Sequence, residues 1–285
     1  MSETREHVVL VTGASSGIGK SVAYFLAQKG FRVYGTSRKA PSTPEQTPKP
    51  TVTMLCMDVT DSDSVEQALA EVSRREGRID IVINNAGAGL AGPVETTAIE
   101  EAQWQMDVNF LGALRVCRAA MRIMRPQQSG YIVNISSIGG VIAIPYQAIY
   151  SASKFALEGL TESLRYEASP FGIRVVLVEP GDHKTGFTQS REVTQSSASD
   201  LAYQLDFERA VGRMIADEQG GPDPEAIGRL IHRIVSTRRP RLRYTVGPSV
   251  QRAAVWLRRL LPYSLIELGL RRYYRLRADA PRPPL

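Results

Sequence analysis

The sequence predicts an α/β fold: a doubly wound, Rossmann-type parallel sheet with helices on both faces and a helical C-terminal extension. Three observations predict it. Short apolar runs such as Val8-Val9-Leu10-Val11 alternate with longer amphipathic stretches over residues 1–180. Runs that are apolar throughout suit strands covered on both faces, as a parallel sheet requires. A glycine-rich turn directly follows the first run, at the strand end where open α/β sheets bind ligands.

The elements follow in order. After the first strand, Ile18, Val22, Phe25 and Leu26 share one helix face, and Gly30 closes that helix. Phe31–Ser37 reads as the second strand, and the four prolines between Pro41 and Pro50 mark a surface loop. Strand-like runs recur at Thr51–Met57, Ile79–Ile83, Tyr131–Ile135 and Ile173–Val178. Gly186 to Gly221 is rich in Ser, Gln and charge and reads as irregular. Asp223-Pro224-Glu225 opens a capped helix whose apolar face is Ile227, Leu230, Ile231, Ile234 and Val235, and Arg241–Gly247 reads as the last strand. These elements divide the chain into a dinucleotide-binding domain, residues 1–248, and an extension, residues 249–285.

Composition narrows the function classes. With 285 residues, 43% hydrophobic and 22% charged, the chain can bury one sizeable core and is not disordered over most of its length. Cys56 and Cys117 cannot build a disulfide scaffold and suit a reducing compartment. His7, His183 and His232 lack metal-ligand spacing, so no metal is expected. The polar N-terminus and the short Val8–Val11 run do not make a signal peptide, so a cytoplasmic location is expected. The longest uncharged stretch, Pro126–Ser153, carries Asn134, Ser136, Ser137, Pro145 and Gln147, which rules it out as a membrane span. The net charge of +6 is uneven: Arg238–Leu285 holds twelve arginines against Glu267 and Asp279, and the rest of the chain is acidic.

Thr12-Gly13-Ala14-Ser15-Ser16-Gly17-Ile18-Gly19 joins the first strand to its helix. Glycines allow a tight turn and close approach of backbone to a pyrophosphate, and a helix N-terminus offers free N–H groups. The spacing differs from the usual dinucleotide fingerprint, and the bland alternative is a glycine-rich turn. The second strand helps to decide. Its end reads Thr36-Ser37-Arg38-Lys39, without the carboxylate that holds a ribose 2′-hydroxyl in NAD binders. Ser37 and the planar fork of Arg38 would accept a 2′-phosphate, which favours NADP(H).

Tyr150 and Lys154 stand four residues apart and share a helix face. A free phenol titrates near about 10, and a neighbouring ammonium lowers that value. Ser137, at a strand end thirteen residues earlier, could donate to a carbonyl oxygen. Taken alone, such a Tyr/Lys pair is an ordinary surface pair.

In combination the motifs resemble the short-chain dehydrogenase/reductase family. The matching pieces are T-G-A-S-S-G-I-G at 12–19, N-N-A-G at 84–87, Asn109, Ser137, Y-S-A-S-K at 150–154, and P-G at 180–181 with Thr185. The resemblance implies that Tyr150 is the general acid/base. Lys154 would lower its pKa and hold the nicotinamide ribose, and Ser137 would polarise the substrate carbonyl. It further implies that Asn109 holds a water relaying protons to Lys154. Asp58 and Val59 would flank the adenine, Asn85, Ala86 and Gly87 would line the cofactor, and Thr185, after Pro180 and Gly181, would meet the carboxamide side. Strand alternation lets only one of Ser136 and Ser137 face the site, and the family's spacing to the tyrosine favours Ser137. His183 departs from the family's usual aliphatic residue and reads as packing.

The implied activity is hydride transfer between NADP(H) and a ketone, aldehyde or alcohol. The run from Tyr150 to Leu160 and the look of the tail resemble hydroxysteroid- and retinol-type members, which points to a lipophilic substrate. The rival from another class is a non-catalytic NADP-binding interaction protein. In the tail, Val250, Ala253, Ala254, Leu257, Leu260 and Leu261 lie on one helical side and Arg252, Arg258 and Arg259 on the other. After the break at Pro262, Leu265–Leu276 mixes Leu, Ile and Tyr with Arg271, Arg272 and Arg275. The tail reads either as helices packed on the domain or as a contact with an anionic membrane. No nucleic-acid recognition motif is present, and a homodimer stays open.

Overall fold

The computed structural model describes residues 6–39, 51–194 and 201–277. The proline-rich loop expected at Pro41–Pro50 lies outside them. In the N-terminal half the chain forms β1 (Val8–Val11), α1 (Gly17–Gln28), β2 (Arg32–Ser37), β3 (Val52–Cys56), α2 (Ser62–Glu76), β4 (Ile81–Asn84), β5 (Leu90–Ala91), α3 (Ile99–Met106) and α4 (Gly112–Gln127). Next come β6 (Gly130–Ile135), α5 (Ala148–Ala168), β7 (Ile173–Pro180), α6 (Phe187–Ser190), β8 (Glu192–Val193) and α7 (Leu201–Gln219). The last elements are α8 (Glu225–Val235), β9 (Arg243–Val246), α9 (Ser249–Leu257) and α10 (Tyr263–Tyr274).

Seven strands form one parallel sheet in the order β3-β2-β1-β4-β6-β7-β9. Alternation along β1 assigns its side chains to two cores. Leu10 packs with Val82, Ile132, Val175 and the buried faces of α2 and α4, including Val65, Leu69 and Val116. Val9 and Val11 pack on the other side with Val22 and Leu26 of α1 and Ile227 and Ile231 of α8. The fully apolar strands are therefore buried on both faces, which is why they carry no polar alternation. The order reverses between β1 and β4, and the carboxyl ends of these strands open onto a crevice.

Two expectations are corrected. The stretch read as irregular contains the 19-residue helix α7. Its buried positions Asp206, Ala210, Met214 and Glu218 recur every fourth residue, but two of them are carboxylates. Hydropathy periodicity is blind to a buried face that is half acidic. In the tail, α9 buries Val255, while Val250 and Leu257 of the expected apolar side are exposed. The contacts of the segment are set by its docking onto the domain, which helical spacing alone does not reveal.

Candidate active site

A cavity of about 600 Å³ opens over the carboxyl ends of the strands, from the β2 end across β1, β4 and β6 to β7. Its floor is the loop after β1. Gly13 adopts φ +66°, and a Cβ there would stand 2.9 Å from Ala86 Cα. A Cβ on Gly19 would lie 2.3 Å from the Gly13 carbonyl oxygen, so helix α1 can start this close to the loop only with glycine. The loop is tied to β4 by Thr12, whose hydroxyl accepts from the Asn85 and Ala86 amides at 2.9 and 2.8 Å. Asn85 Nδ2 returns a bond to the Thr12 carbonyl at 2.9 Å. Thr12 and Asn85 thus fix the cradle.

Of the residues singled out for a dinucleotide, Gly13, Ser15, Ser16, Gly17, Ile18, Ser37, Arg38, Asp58, Val59, Asn85, Ala86, Gly87, Pro180, Gly181 and Thr185 line this one cavity, and Gly19 supports it from beneath. Thr185 faces the loop, its Cβ 3.6 Å from where a Cβ on Gly17 would stand. Burial raises the Asp58 carboxyl, but the Thr60 amide and hydroxyl at 2.9 and 2.8 Å, with Arg38 and Arg115, outweigh it and hold it below the usual range. The residues fit a dinucleotide: a cradle that a single Cβ would fill at one point, and an ionised carboxylate beside a guanidinium further along.

Ser136, Ser137, Tyr150 and Lys154 line the same cavity, which corrects the expectation that only one of the two serines faces it. Helix α5 carries the tyrosine and lysine one turn apart, both buried. Ser137 follows β6, and its hydroxyl accepts from the Gly139 amide at 3.0 Å. Tyr150 hydrogen-bonds Ser137. Lys154 Nζ donates to the Ile135 carbonyl at 2.9 Å and lies 5.9 Å from the centre of the Tyr150 ring. Asn109 is buried behind Gly87 rather than on the cavity wall. It sits in a π-helical turn, Asp107–Leu111, that joins α3 to α4. Its amide is bound on both sides: Oδ1 accepts from Ala88 N at 2.8 Å, and Nδ2 donates to Ala88 O and Ser153 Oγ at 3.0 Å.

Burial dominates the electrostatics of the phenol: it pushes Tyr150 up, opposed first by the Ser137 hydrogen bond and then by Arg191. The lysine is itself desolvated. Burial pushes it down to about 8, against the pull of Glu158 one turn along. In this arrangement the phenol holds its proton at neutral pH.

Sequence reasoning missed the far wall. Asp182, His183, Met214, Glu218 and Tyr274 line it, so α7 and α10 both reach the cavity. Burial pushes Asp182 up to about 6, reinforced by Glu218 and Asp217 and opposed by Gln251 and Arg191. Glu218 is paired with Arg191 and Thr188. His183 is a cavity-wall residue as well as a packed one. Its Nδ1 meets the Gly181 carbonyl at 2.9 Å, and burial lowers its pKa. The hydropathy pattern carries no signal for this wall, because the carboxylates at buried positions of α7 conceal its periodicity. Among the described residues no cluster could hold a metal ion, and no helix is long and apolar enough to cross a membrane.

Comparison with known proteins agrees with this geometry. A family model described as short chain dehydrogenase matches residues 7–196. The 3-ketodihydrosphingosine reductase of Bacteroides thetaiotaomicron is 44% identical over 270 residues, 95% of this chain and 98% of that protein. Estradiol 17-beta-dehydrogenase 1 of Rattus norvegicus is 36% identical over 258 residues, 83% of this chain and 72% of that protein. A solved short-chain dehydrogenase from Streptomyces avermitilis matches with a TM-score of 0.79 at 30% identity, covering 96% of this chain and 98% of its own. Solved structures of this fold hold either nicotinamide cofactor. Actinorhodin polyketide ketoreductase with NADPH has a TM-score of 0.69 at 26% identity, covering 86% and 97% of the two chains. A Burkholderia phymatum protein in complex with NAD has a TM-score of 0.76 at 24% identity, covering 100% and 99%.

Proposed function

The chain belongs to the short-chain dehydrogenase/reductase family of oxidoreductases, and on that premise we propose that it is an NADP(H)-dependent reductase of a lipophilic amino ketone, a 3-keto sphingoid base. The observation that carries the reductase reading is the convergence of Ser137, Tyr150 and Lys154 on one cavity together with the glycine cradle. When bound, NADPH supplies the hydride. Ser37 and Arg38, on the cavity wall at the β2 end, would hold its 2′-phosphate. Ser137 donates to the carbonyl oxygen, and Tyr150 gives that oxygen its proton as negative charge develops there. A phenol that burial keeps protonated suits this direction. Lys154, its ammonium held on the Ile135 carbonyl and 5.9 Å from the Tyr150 ring centre, would favour the phenolate left behind, and Asn109 positions the backbone around Ala88.

Two relatives act on lipids of different chemistry, as their names state: a ketosphingosine and a steroid. The far wall favours the first. Asp182, Asp217 and Glu218 face two arginines, Arg191 and Arg213, and the leftover acid is Asp182 on the cavity wall. A 3-keto sphingoid base carries an amine on the carbon beside its ketone, and an ammonium there would meet this excess negative charge. A steroid offers no such group.

The test compares initial rates of NADPH consumption with 3-ketodihydrosphingosine, its N-acylated form and estrone. The reading expects the free amine to be preferred by at least about tenfold in kcat/KM. Preference for estrone would overturn the substrate, and preference for NADH would overturn the cofactor.

A further inference from the structure

Among the described residues, seven of the fourteen exposed large apolar side chains lie between Val250 and Leu268. Val250 is 69% exposed, and Trp256 and Leu260 are each 61% exposed. With Leu257, Tyr263, Leu265 and Leu268 they are carried by α9, α10 and the turn that joins them. Exposed apolar side chains concentrated in one segment in this way mark a contact site. Arg252, Arg259, Arg272 and Arg275 are exposed beside it and meet no carboxylate among the described residues. Glu267 is the one acid between Val250 and Arg277, and it is bound to Arg271 at 3.0 Å.

The opposite side of the same segment is anchored. Val255 and Tyr274 are buried, and Gln251 Oε1 accepts from the Asp182 amide at 2.9 Å. The Tyr273 hydroxyl donates to Asp217 at 2.7 Å, and Arg277 holds Asp206 at 2.9 Å. Tyr274 lines the cavity that contains Tyr150. The segment is therefore a wall with an inner face on the substrate cavity and an outer face that is apolar and basic.

We propose that α9 and α10 dock this protein on an anionic lipid bilayer, with Trp256, Leu260 and Leu265 entering the interface and the arginines on lipid phosphates. Charge complementarity selects the partner: an apolar face flanked by unpaired arginines is the composition of an interfacial helix, basic on one side and aromatic or aliphatic on the other. At nine and twelve residues, α9 and α10 are too short to span, so they lie in the plane of the interface. The cavity wall then rests on the bilayer, where an apolar substrate dissolves. This inference is independent of which ketone is reduced.

The test is co-sedimentation of the full chain with vesicles of phosphatidylglycerol and phosphatidylcholine, against phosphatidylcholine alone. The expected result is binding at least about tenfold tighter to the anionic vesicles, weakening as salt rises because the Debye length shrinks to about 3 Å at 1 M. Leu260→Asp/Leu265→Asp, at exposed positions, should abolish binding while turnover of a water-soluble ketone stays intact. Arg252→Glu/Arg259→Glu should abolish the preference for anionic vesicles. Absence of binding by the natural chain, or equal binding by both double variants, would overturn the proposal. A dimer that the aspartate variant dissociates, in a chain that ignores vesicles, would assign the face to a second copy instead.

Discussion

The ammonium of Lys154 donates to the carbonyl oxygen of Ile135 at 2.9 Å, two residues before Ser137. Helix α5 and the end of β6 are thus tied at the point where Ser137, Tyr150 and Lys154 meet. Burial lowers this lysine to about 8, and Glu158 resists the fall. The ammonium form is lost as pH rises through about 8 in the folded protein. Turnover that needs it should decline along an alkaline limb near that value. Glu158→Gln removes the resisting charge, so the limb should move to lower pH in a kcat–pH profile. An unmoved limb would detach Glu158 from Lys154.

The same shift affects stability with the opposite sign. Between about 8 and the ordinary lysine value of 10.5, the unfolded chain binds a proton that folded Lys154 does not. Stability from this group therefore rises with pH across that window. Lys154→Met should flatten the rise in urea midpoints measured across it.

Tyr150→Phe removes the phenolic hydroxyl alone. Turnover should fall by at least about 100-fold, while NADPH affinity holds within a few-fold by fluorescence titration. Near-normal turnover would remove Tyr150 from the proton transfer.

Much of this was legible in the sequence for a physical reason. Apolar runs such as Val8–Val11 announce doubly covered strands, and Gly13, Tyr150 and Lys154 carry local spacing that survives without tertiary information. The far wall has no such mark. Asp206 and Glu218 occupy buried positions of α7 and conceal its periodicity. Tyr274 reaches the cavity from more than a hundred residues beyond Tyr150. The raised Tyr150 phenol was hidden too, since spacing shows the lysine neighbour but not the burial of the ring.

Arg38→Asp replaces the guanidinium proposed to hold the 2′-phosphate with a charge like that of the phosphate. NADP(H) binding should weaken by about 2–4 kcal/mol, and NAD(H) binding much less. Calorimetry with both cofactors reads the difference, and equal weakening would make Arg38 a structural residue.

Asp182 titrates near about 6, raised by burial and by Glu218 and Asp217. Below that pH it is neutral and its attraction for an ammonium fades. KM for an amino ketone should rise as pH falls through about 6, and Asp182→Asn should raise it at neutral pH. KM for a ketone without the amine should stay level in both cases. Parallel changes for the two substrates would assign Asp182 to the fold.

Reduction of a carbonyl with NADPH at this cavity can be read out in a single assay. The most direct measurement follows NADPH loss and alcohol formation together, by absorbance and mass spectrometry, with 3-ketodihydrosphingosine and the purified full chain. One alcohol should form for each NADPH consumed, and none with Tyr150→Phe. Tight NADPH binding without turnover of this ketone or any other would contradict it and leave a non-catalytic nucleotide-binding protein.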